Sequence, residues 1–128
     1  MHEWKNQTQP MIKAIIVEDE ERNASVLKNM IREYCPLVNV LDVFDSVKTA
    51  LTGIPEKQPQ LVFMDIMLGD GNAFDILSKL KERNFEVIFI TAYDKFAIKA
   101  IKFSALDYLV KPISIVDLQD AEIGRAHV

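Results

Sequence analysis

The stretch Ile12-Lys-Ala-Ile-Ile-Val-Glu-Asp19 decides the fold class, because a nearly continuous apolar run ends directly on two carboxylates. Only Lys13 interrupts the run, and that pattern is typical of a strand covered on both faces by helices. The segment from Glu21 to Tyr34 then has apolar residues at helical spacing and ends before Pro36. A strand that leads into a helix in this way predicts the first unit of an α/β fold.

The alternation of strand and helix continues along the chain. Apolar runs predict four further strands, at residues 38–44, 61–64, 87–90 and 106–110. Helical spacing and N-cap residues predict four further helices, from Ser46 to Leu51, from Phe74 to Glu82, from Lys95 to Lys102 and from Ser114 onward. The helix from Ser46 is expected to close at Gly53 and Pro55. The pattern predicts a doubly wound five-stranded parallel sheet with helices on both faces.

The composition is that of one ordinary globular domain. Hydrophobic residues make up 49% of the 128 residues and charged residues 27%, so the chain can bury a core without a disulfide or a metal. A net charge of −4 gives no reason to expect direct binding to nucleic acid or to an anionic membrane. The longest apolar runs are strand-sized, so no membrane segment is expected. The single cysteine, Cys35, suits a reducing compartment, and the cytoplasm is the expected location.

The two ends of the chain differ from its middle. Residues 1–10 are polar and irregular and lack the apolar region of a secretory signal, so we expect a flexible N-terminal extension. Residues 11–121 are expected to form the domain. Residues 122–128 are expected to be a disordered tail or a cloning remnant, with Gly124 breaking the final helix.

Chemically active side chains follow four of the predicted strands. In an open parallel sheet, ligand-binding groups gather at the carboxyl ends of the strands, which here carry Glu18, Asp19, Asp65, Thr91 and Lys111. Clustered carboxylates repel one another unless a cation or raised pKa values offset the repulsion, and oxygen ligands suit Mg²⁺ where phosphates are handled. With Asp65 as nucleophile and Lys111 and Thr91 on the phosphoryl oxygens, the set predicts an aspartyl phosphate site.

Each of these residues also has an ordinary structural interpretation. The Glu18-Asp19 pair could cap the next helix, and Asp65 could begin a simple turn. Thr91 could likewise cap a helix, and a lysine such as Lys111 is usually solvated at the surface. The functional interpretation is preferred because the signals fall together at the ends of four strands of one sheet.

Four motifs, taken together in this order, resemble the receiver domains of bacterial response regulators, the CheY-like superfamily. They are Val17-Glu-Asp-Glu20, Phe63-Met-Asp-Ile-Met-Leu68, Ile90-Thr-Ala92 and Asp107-Tyr-Leu-Val-Lys-Pro112. The resemblance covers roughly Met11 to Ala121 and implies a flavodoxin-like sheet with strand order 2-1-3-4-5. It also implies that Asp65 is the phosphoacceptor and that a cis peptide bond precedes Pro112.

The resemblance assigns a role to each residue of the site. Thr91 and Lys111 would contact the phosphoryl group, and Thr91 and Tyr108 would act as the switch. The Mg²⁺ ligands would be Glu18, Asp19, Asp65 and the backbone carbonyl of Met67. The chain would be a signalling phosphoacceptor rather than an enzyme.

The segment from Thr91 to Pro112 is most similar to receivers that precede a LytTR-type DNA-binding domain. The implied partners are a sensor histidine kinase and, through residues 95–102 and the last helix, a second copy of the chain. The output would be control of a DNA-binding domain absent from this chain, so a piece of a longer regulator is expected. The domain itself is expected to bind neither nucleic acid nor membrane.

Three positions depart from the family pattern. Gly69 stands where the family usually has proline, and Ala73 replaces a later loop glycine while Gly71 lies two residues earlier. Glu18 stands where many relatives have aspartate. These differences concern the conformation of the loop after Asp65 and the geometry of the metal site.

The sequence disfavours three other functions. A flavodoxin-like cofactor binder needs a Ser/Thr/Gly-rich phosphate loop after the first strand, where this chain has Glu18-Asp-Glu-Glu21. A haloacid dehalogenase-like hydrolase places its nucleophilic aspartate after the first strand, whereas the candidate here ends the third. A pseudo-receiver, acting only as an interaction module, is disfavoured by the presence of all the site residues.

Overall fold

The computed structural model describes residues 11–126, so the predicted extension over residues 1–10 and the last two residues lie outside the described part. Five strands form the main sheet: β1 (Ile12–Val17), β2 (Val38–Phe44), β3 (Leu61–Met64), β6 (Glu86–Thr91) and β7 (Asp107–Val110). A small antiparallel pair is formed by β4 (Met67–Leu68) and β5 (Gly71–Asn72). The helices are α1 (Glu21–Tyr34), α2 (Val47–Lys57), α3 (Ala73–Lys79), α4 (Ala97–Lys102) and α5 (Ile115–Ala126).

The main sheet is parallel throughout, in the order β2-β1-β3-β6-β7. Since β4 and β5 form a separate pair, β6 and β7 are the fourth and fifth strands of the main sheet. Its order is therefore the predicted 2-1-3-4-5. The register pairs Val17 with Met64, and Thr91 with Val110. The residues that follow these pairs therefore emerge at one edge of the sheet.

Alternate residues of the central strands pack into two separate cores. Ile15, Val17, Val62 and Met64 face one core with α2, α3 and α4. Ala14, Ile16, Leu61 and Phe63 face the other with α1 and α5. Burial on both faces explains why the strands lack the alternation of polar and apolar residues, and it confirms the doubly wound fold.

The expected end of α2 at Gly53 and Pro55 is wrong, since the helix continues to Lys57. Ala50, Gly53 and Ile54 are buried, and a Cβ on Gly53 would lie 2.1 Å from the ring of Phe44. Gly53 therefore makes room for a side chain of β2 and does not terminate the helix. The C-cap residue after Lys57 is Gln58, whose φ of 49° is left-handed. The predicted N-cap, Ser46, is confirmed by a capping box with Thr49.

Other helix ends also differ from expectation. The final helix runs through Gly124 to Ala126, so the expected break at Gly124 is wrong. A glycine inside a helix costs only about 1 kcal/mol relative to alanine. The burial of Leu118 and Ala121 in the core shared with α1 offsets this cost. Helices α3 and α4 are shorter than predicted, ending at Lys79 and beginning at Ala97. Within residues 11–126, none of the helices has the length and apolar character that a bilayer span requires.

Candidate functional site

The site lies at the carboxyl edge of the sheet, where four strands present the side chains selected from the sequence. These are Glu18 and Asp19 after β1, Asp65 after β3, Thr91 at the end of β6, and Lys111 after β7. Backbone hydrogen bonds connect two of these residues, Asp65 and Lys111, to neighbouring strands. The Asp65 N–H donates to the Val17 carbonyl at 2.9 Å, and the Lys111 N–H donates to the Thr91 carbonyl at 2.8 Å. The five predicted residues are therefore gathered at one edge.

Lys111 joins two carboxylates that come from different strands. Its Nζ donates to Glu18 Oε1 at 2.7 Å and to Asp65 Oδ2 at 2.9 Å. Both carboxylates are buried, while one fifth of the Lys111 side chain is exposed. Charge-assisted hydrogen bonds of this length are strong. Lys111 is therefore not a simple solvated surface lysine.

The three carboxylates form a compact set of oxygen ligands. Glu18, Asp19 and Asp65 each offer an oxygen, and these oxygens lie within 4.8 Å of one another. Asp19 is exposed, and Glu18 Oε2 accepts a hydrogen bond from the Glu20 N–H at 3.1 Å. Asp65 Oδ1 is buried and has no hydrogen-bond partner in the part of the chain that the structure describes. A buried carboxylate oxygen without a partner is unusual, and it indicates a place for an incoming group.

The electrostatics of the site follow from burial and from the ion pairs. Burial raises the pKa of Glu18 above its ordinary value, although the hydrogen bond from Lys111 opposes this. Burial lowers the pKa of Lys111, but the hydrogen bonds to Glu18 and Asp65 outweigh it, so the Lys111 pKa lies above its ordinary value. Lys111 is therefore a permanent cation at neutral pH.

Tyr93 links the two predicted switch residues through its backbone. Thr91 is fully buried, and its Oγ1 accepts a 3.4 Å hydrogen bond from the Tyr93 N–H. The Tyr108 hydroxyl donates to the Tyr93 carbonyl, and its ring packs 6.3 Å from the ring of Phe89. Burial raises the pKa of Tyr108, so its hydroxyl remains a donor. The sequence contained no signal for this link because it passes through main-chain atoms.

The loop after Asp65 is more ordered than the sequence suggested. Met67 and Leu68 pair with Asn72 and Gly71 as a hairpin, which was not predicted from the sequence. Asn72 also forms a capping box with Asp75 at the start of α3. An Asn followed three residues later by an acidic residue was an available signal for that cap. The predicted cis peptide bond between Lys111 and Pro112 is present.

The buried site is reached through a cleft of about 390 Å³. Glu18, Asp65 and Lys111 line one part of it, while residues of α1 and of the central strands, together with Pro112 and Ile113, line the rest. Asp65 is therefore accessible to a reacting group although little of its own surface is exposed.

Comparison with known proteins identifies the family. The sequence-family model for the response regulator receiver domain matches residues 14–122. The chain belongs to this family. Receiver domains are signalling domains, and those of response regulators are phosphorylated by sensor histidine kinases. The predicted family and fold are therefore confirmed.

The receiver domain is similar to curated and solved relatives. It is 36% identical over 104 residues to the sensory transduction protein LytT of Bacillus cereus, covering 80% of this chain and 42% of that protein. It is 32% identical over 112 residues to LytR of Staphylococcus haemolyticus, covering 86% and 43%. The response regulatory domain of protein mrkE from Klebsiella pneumoniae has a TM-score of 0.79 at 24% identity, with 91% and 100% covered. The chain thus spans less than half the length of the curated relatives it matches. The predicted relationship to LytT- and LytR-type regulators is confirmed.

Proposed function

We propose that this receiver domain accepts a phosphoryl group on Asp65 from a sensor histidine kinase and thereby switches an output surface. The observation that carries the proposal is the environment of Asp65. One of its oxygens is held by Lys111, and the other has no partner within residues 11–126. A carboxylate oriented through one oxygen and lacking a partner at the other is arranged for attack on phosphorus.

The chain's own residues supply the positioning that phosphoryl transfer needs. An Asp65 oxygen bonds to phosphorus, while the bond from phosphorus to the kinase histidine breaks and leaves its electron pair on the imidazole nitrogen. The Lys111 ammonium then pairs with a phosphoryl oxygen. The Thr91 hydroxyl accepts from Tyr93 and keeps its own proton to donate to a second phosphoryl oxygen. Charge neutralisation and positioning are the main requirements of this reaction.

Mg²⁺ is the cofactor that the residues of the site fit. Glu18, Asp19 and Asp65 supply hard oxygen ligands within 4.8 Å of one another, and we assign the Met67 carbonyl as a fourth ligand on the resemblance to the family. When bound, Mg²⁺ would neutralise the carboxylates and polarise a phosphoryl oxygen.

Mg²⁺ should raise the melting temperature of the wild-type protein. Binding to the folded state alone adds about 2.7 kcal/mol of stability when the metal is at a hundred times its Kd. Asp19→Asn should remove most of this response without disturbing the core, because Asp19 is exposed. Glu20→Gln, an exposed acidic neighbour outside the carboxylate set, is the matched control. Calorimetric melting with and without Mg²⁺ measures the effect, and an unchanged Asp19→Asn response would contradict the ligand assignment.

The switch would run through Thr91, Tyr93 and Tyr108. Phosphorylation adds about −1.5 to −2 charges and three acceptor oxygens at Asp65. Movement of the Thr91 hydroxyl toward them breaks its hydrogen bond from Tyr93, whose carbonyl holds Tyr108. A local change in charge would then reposition a tyrosine beside α4.

Beryllofluoride, a phosphoryl mimic, should therefore shift the amide resonances of Tyr93, Tyr108 and residues 95–102 as well as those near Asp65. Thr91→Ala should confine the shifts to the Asp65 loop, because it lacks the hydroxyl that connects the two regions. Heteronuclear magnetic resonance spectra of both proteins provide the measurement. Wild-type shifts that never reach Tyr108 would rule out this route.

The output surface is proposed to pair with a second copy of the chain through residues 95–102 and the last helix. Ile98 and Ile101 on α4 are each 74% exposed, and Val116 on α5 is 64% exposed. Exposed aliphatic side chains on these two helices favour a protein contact. In the full-length regulator, we propose that this contact controls a LytTR-type DNA-binding domain in the cytoplasm, with no direct binding of nucleic acid or membrane by the receiver.

The test of the proposed function is phosphorylation of the wild-type protein by acetyl phosphate in the presence of Mg²⁺. Intact mass should show one phosphoryl group, and peptide mapping should assign it to Asp65. A phosphoryl group on another residue would contradict the proposal.

A further inference from the structure

Asp70 caps a helix that lies more than twenty residues before it in the chain. Its Oδ1 accepts from the Val47 N–H at 2.8 Å and its Oδ2 from the Lys48 N–H at 3.1 Å. Both donors belong to the first turn of α2, where N–H groups have no partner inside the helix. Ser46, the local cap, binds the Thr49 N–H instead. One helix end is therefore capped by two independent residues.

Asp70 also stands at the tip of the hairpin that follows Asp65. The hairpin is closed at its base by a 2.8 Å hydrogen bond from the Ala73 N–H to the Ile66 carbonyl. Its far strand is packed tightly, because a Cβ on Gly71 would lie 2.8 Å from Asp75 Oδ2 and 3.1 Å from Val47 Cγ2. The tip is thus attached to α2 by Asp70, while the base is closed by the hydrogen bond to the Ile66 carbonyl.

The hairpin tip reaches the carboxylate set of the site. A Cβ on Gly69 would lie 3.9 Å from Asp19 Oδ2, so the backbone beside Asp70 runs next to a proposed metal ligand. Gly69 has no side chain to limit its backbone, and glycine loses more conformational freedom on ordering than any other residue. The two hydrogen bonds from α2 to Asp70, the next residue, restrict the Gly69 backbone and so offset the cost of ordering it.

We infer that Asp70 is a positioning residue for the Asp65 site, holding the hairpin that carries the Met67 carbonyl against Asp19 by means of its two hydrogen bonds to α2. The inference rests on the proposed function of the site. Asp70 does not touch the reacting atoms. It acts through the backbone of residues 67–69, which it holds in place before metal or phosphoryl group arrives.

The chain offers a matched control for this inference. Ser46→Ala and Asp70→Ala each remove a cap from the N-terminus of α2, but only Asp70 belongs to the hairpin. Asp70→Asn retains one acceptor oxygen, which can accept from the Val47 N–H, but its amide nitrogen cannot accept from the Lys48 N–H. Loss of the cap and loss of the attachment can therefore be measured separately.

The first measurement is Mg²⁺ affinity by isothermal titration calorimetry. Asp70→Ala should lower the affinity roughly tenfold, as is typical when the support of a metal ligand is removed. Asp70→Asn, which can keep one of the two hydrogen bonds, should fall between Asp70→Ala and the wild type. Ser46→Ala should leave the affinity unchanged while lowering the melting temperature. Equal losses of affinity in Ser46→Ala and Asp70→Ala, or no loss in Asp70→Ala, would overturn the inference.

The second measurement needs neither metal nor phosphorylation. In metal-free protein, hydrogen exchange at the Ala73 and Asn72 amides should accelerate in Asp70→Ala and remain at the wild-type rate in Ser46→Ala. If wild-type protein bound no Mg²⁺, the proposed metal site would fail, while the exchange rates would still decide whether Asp70 holds the hairpin. Unchanged exchange in Asp70→Ala would show that it does not.

Discussion

Replacing Asp65 with asparagine should abolish phosphorylation by acetyl phosphate while leaving the fold intact. The amide cannot form an acyl phosphate, because its nitrogen and its neutral oxygen are poor nucleophiles at this centre. The asparagine oxygen can still accept the hydrogen bond that Lys111 gives to Asp65 Oδ2 at 2.9 Å. The expected result is complete loss of the phosphoryl group in the intact mass spectrum, with cooperative unfolding preserved.

The control for Asp65→Asn is an equivalent change outside the site. Asp94 is an exposed aspartate in the loop after β6, and Asp94→Asn should be phosphorylated to the wild-type extent. Residual phosphorylation of Asp65→Asn would mean that another residue serves as acceptor. Loss of phosphorylation in both variants would indicate a general effect of acidic charge rather than a nucleophile.

The sheet and the site could be predicted because both depend on features local to the strands. Continuous apolar runs such as Ile12–Val17 and Leu61–Met64 require cover on two faces, which favours a parallel sheet with helices on both sides. In such a sheet all strands end at the same edge, so residues that follow separate strands meet there. Glu18, Asp65 and Lys111 were therefore brought together by topology alone.

The features that were missed depend on contacts between distant segments. The end of α2 was misplaced because Gly53 and Pro55 are local helix breakers, whereas the packing of Phe44 over Gly53 is visible only in three dimensions. Asp70 followed by Gly71 has the composition of an ordinary turn. Its role as a cap for Val47 depends on a hairpin that was not predicted from the sequence.

Removing the Lys111 ammonium should produce the largest loss of stability among the site variants. Lys111→Met keeps a long side chain but leaves Glu18 Oε1 and Asp65 Oδ2 without the cation that binds them at 2.7 Å and 2.9 Å. Deleting one partner of a buried ion pair typically costs 3–5 kcal/mol. Because one fifth of the Lys111 side chain is exposed to water, we expect a loss of about 3 kcal/mol, the lower end of that range. Urea unfolding in a chelating buffer measures it.

A double-mutant cycle with Glu18→Gln tests whether the loss of stability in Lys111→Met comes from the carboxylates left without their cation. Glu18→Gln alone retains an acceptor for Lys111 and removes a buried charge, so its effect should be within about 1 kcal/mol of the wild type. In the double variant one fewer charge is left without its cation, so the loss should be smaller than in Lys111→Met by at least about 1 kcal/mol. Additive losses would show that Lys111 stabilises the fold through the packing of its aliphatic chain instead. A non-additive cycle would show that the Lys111–Glu18 ion pair couples β1 and β7 at the carboxyl edge, so that a phosphoryl group drawing Lys111 away acts on both strands.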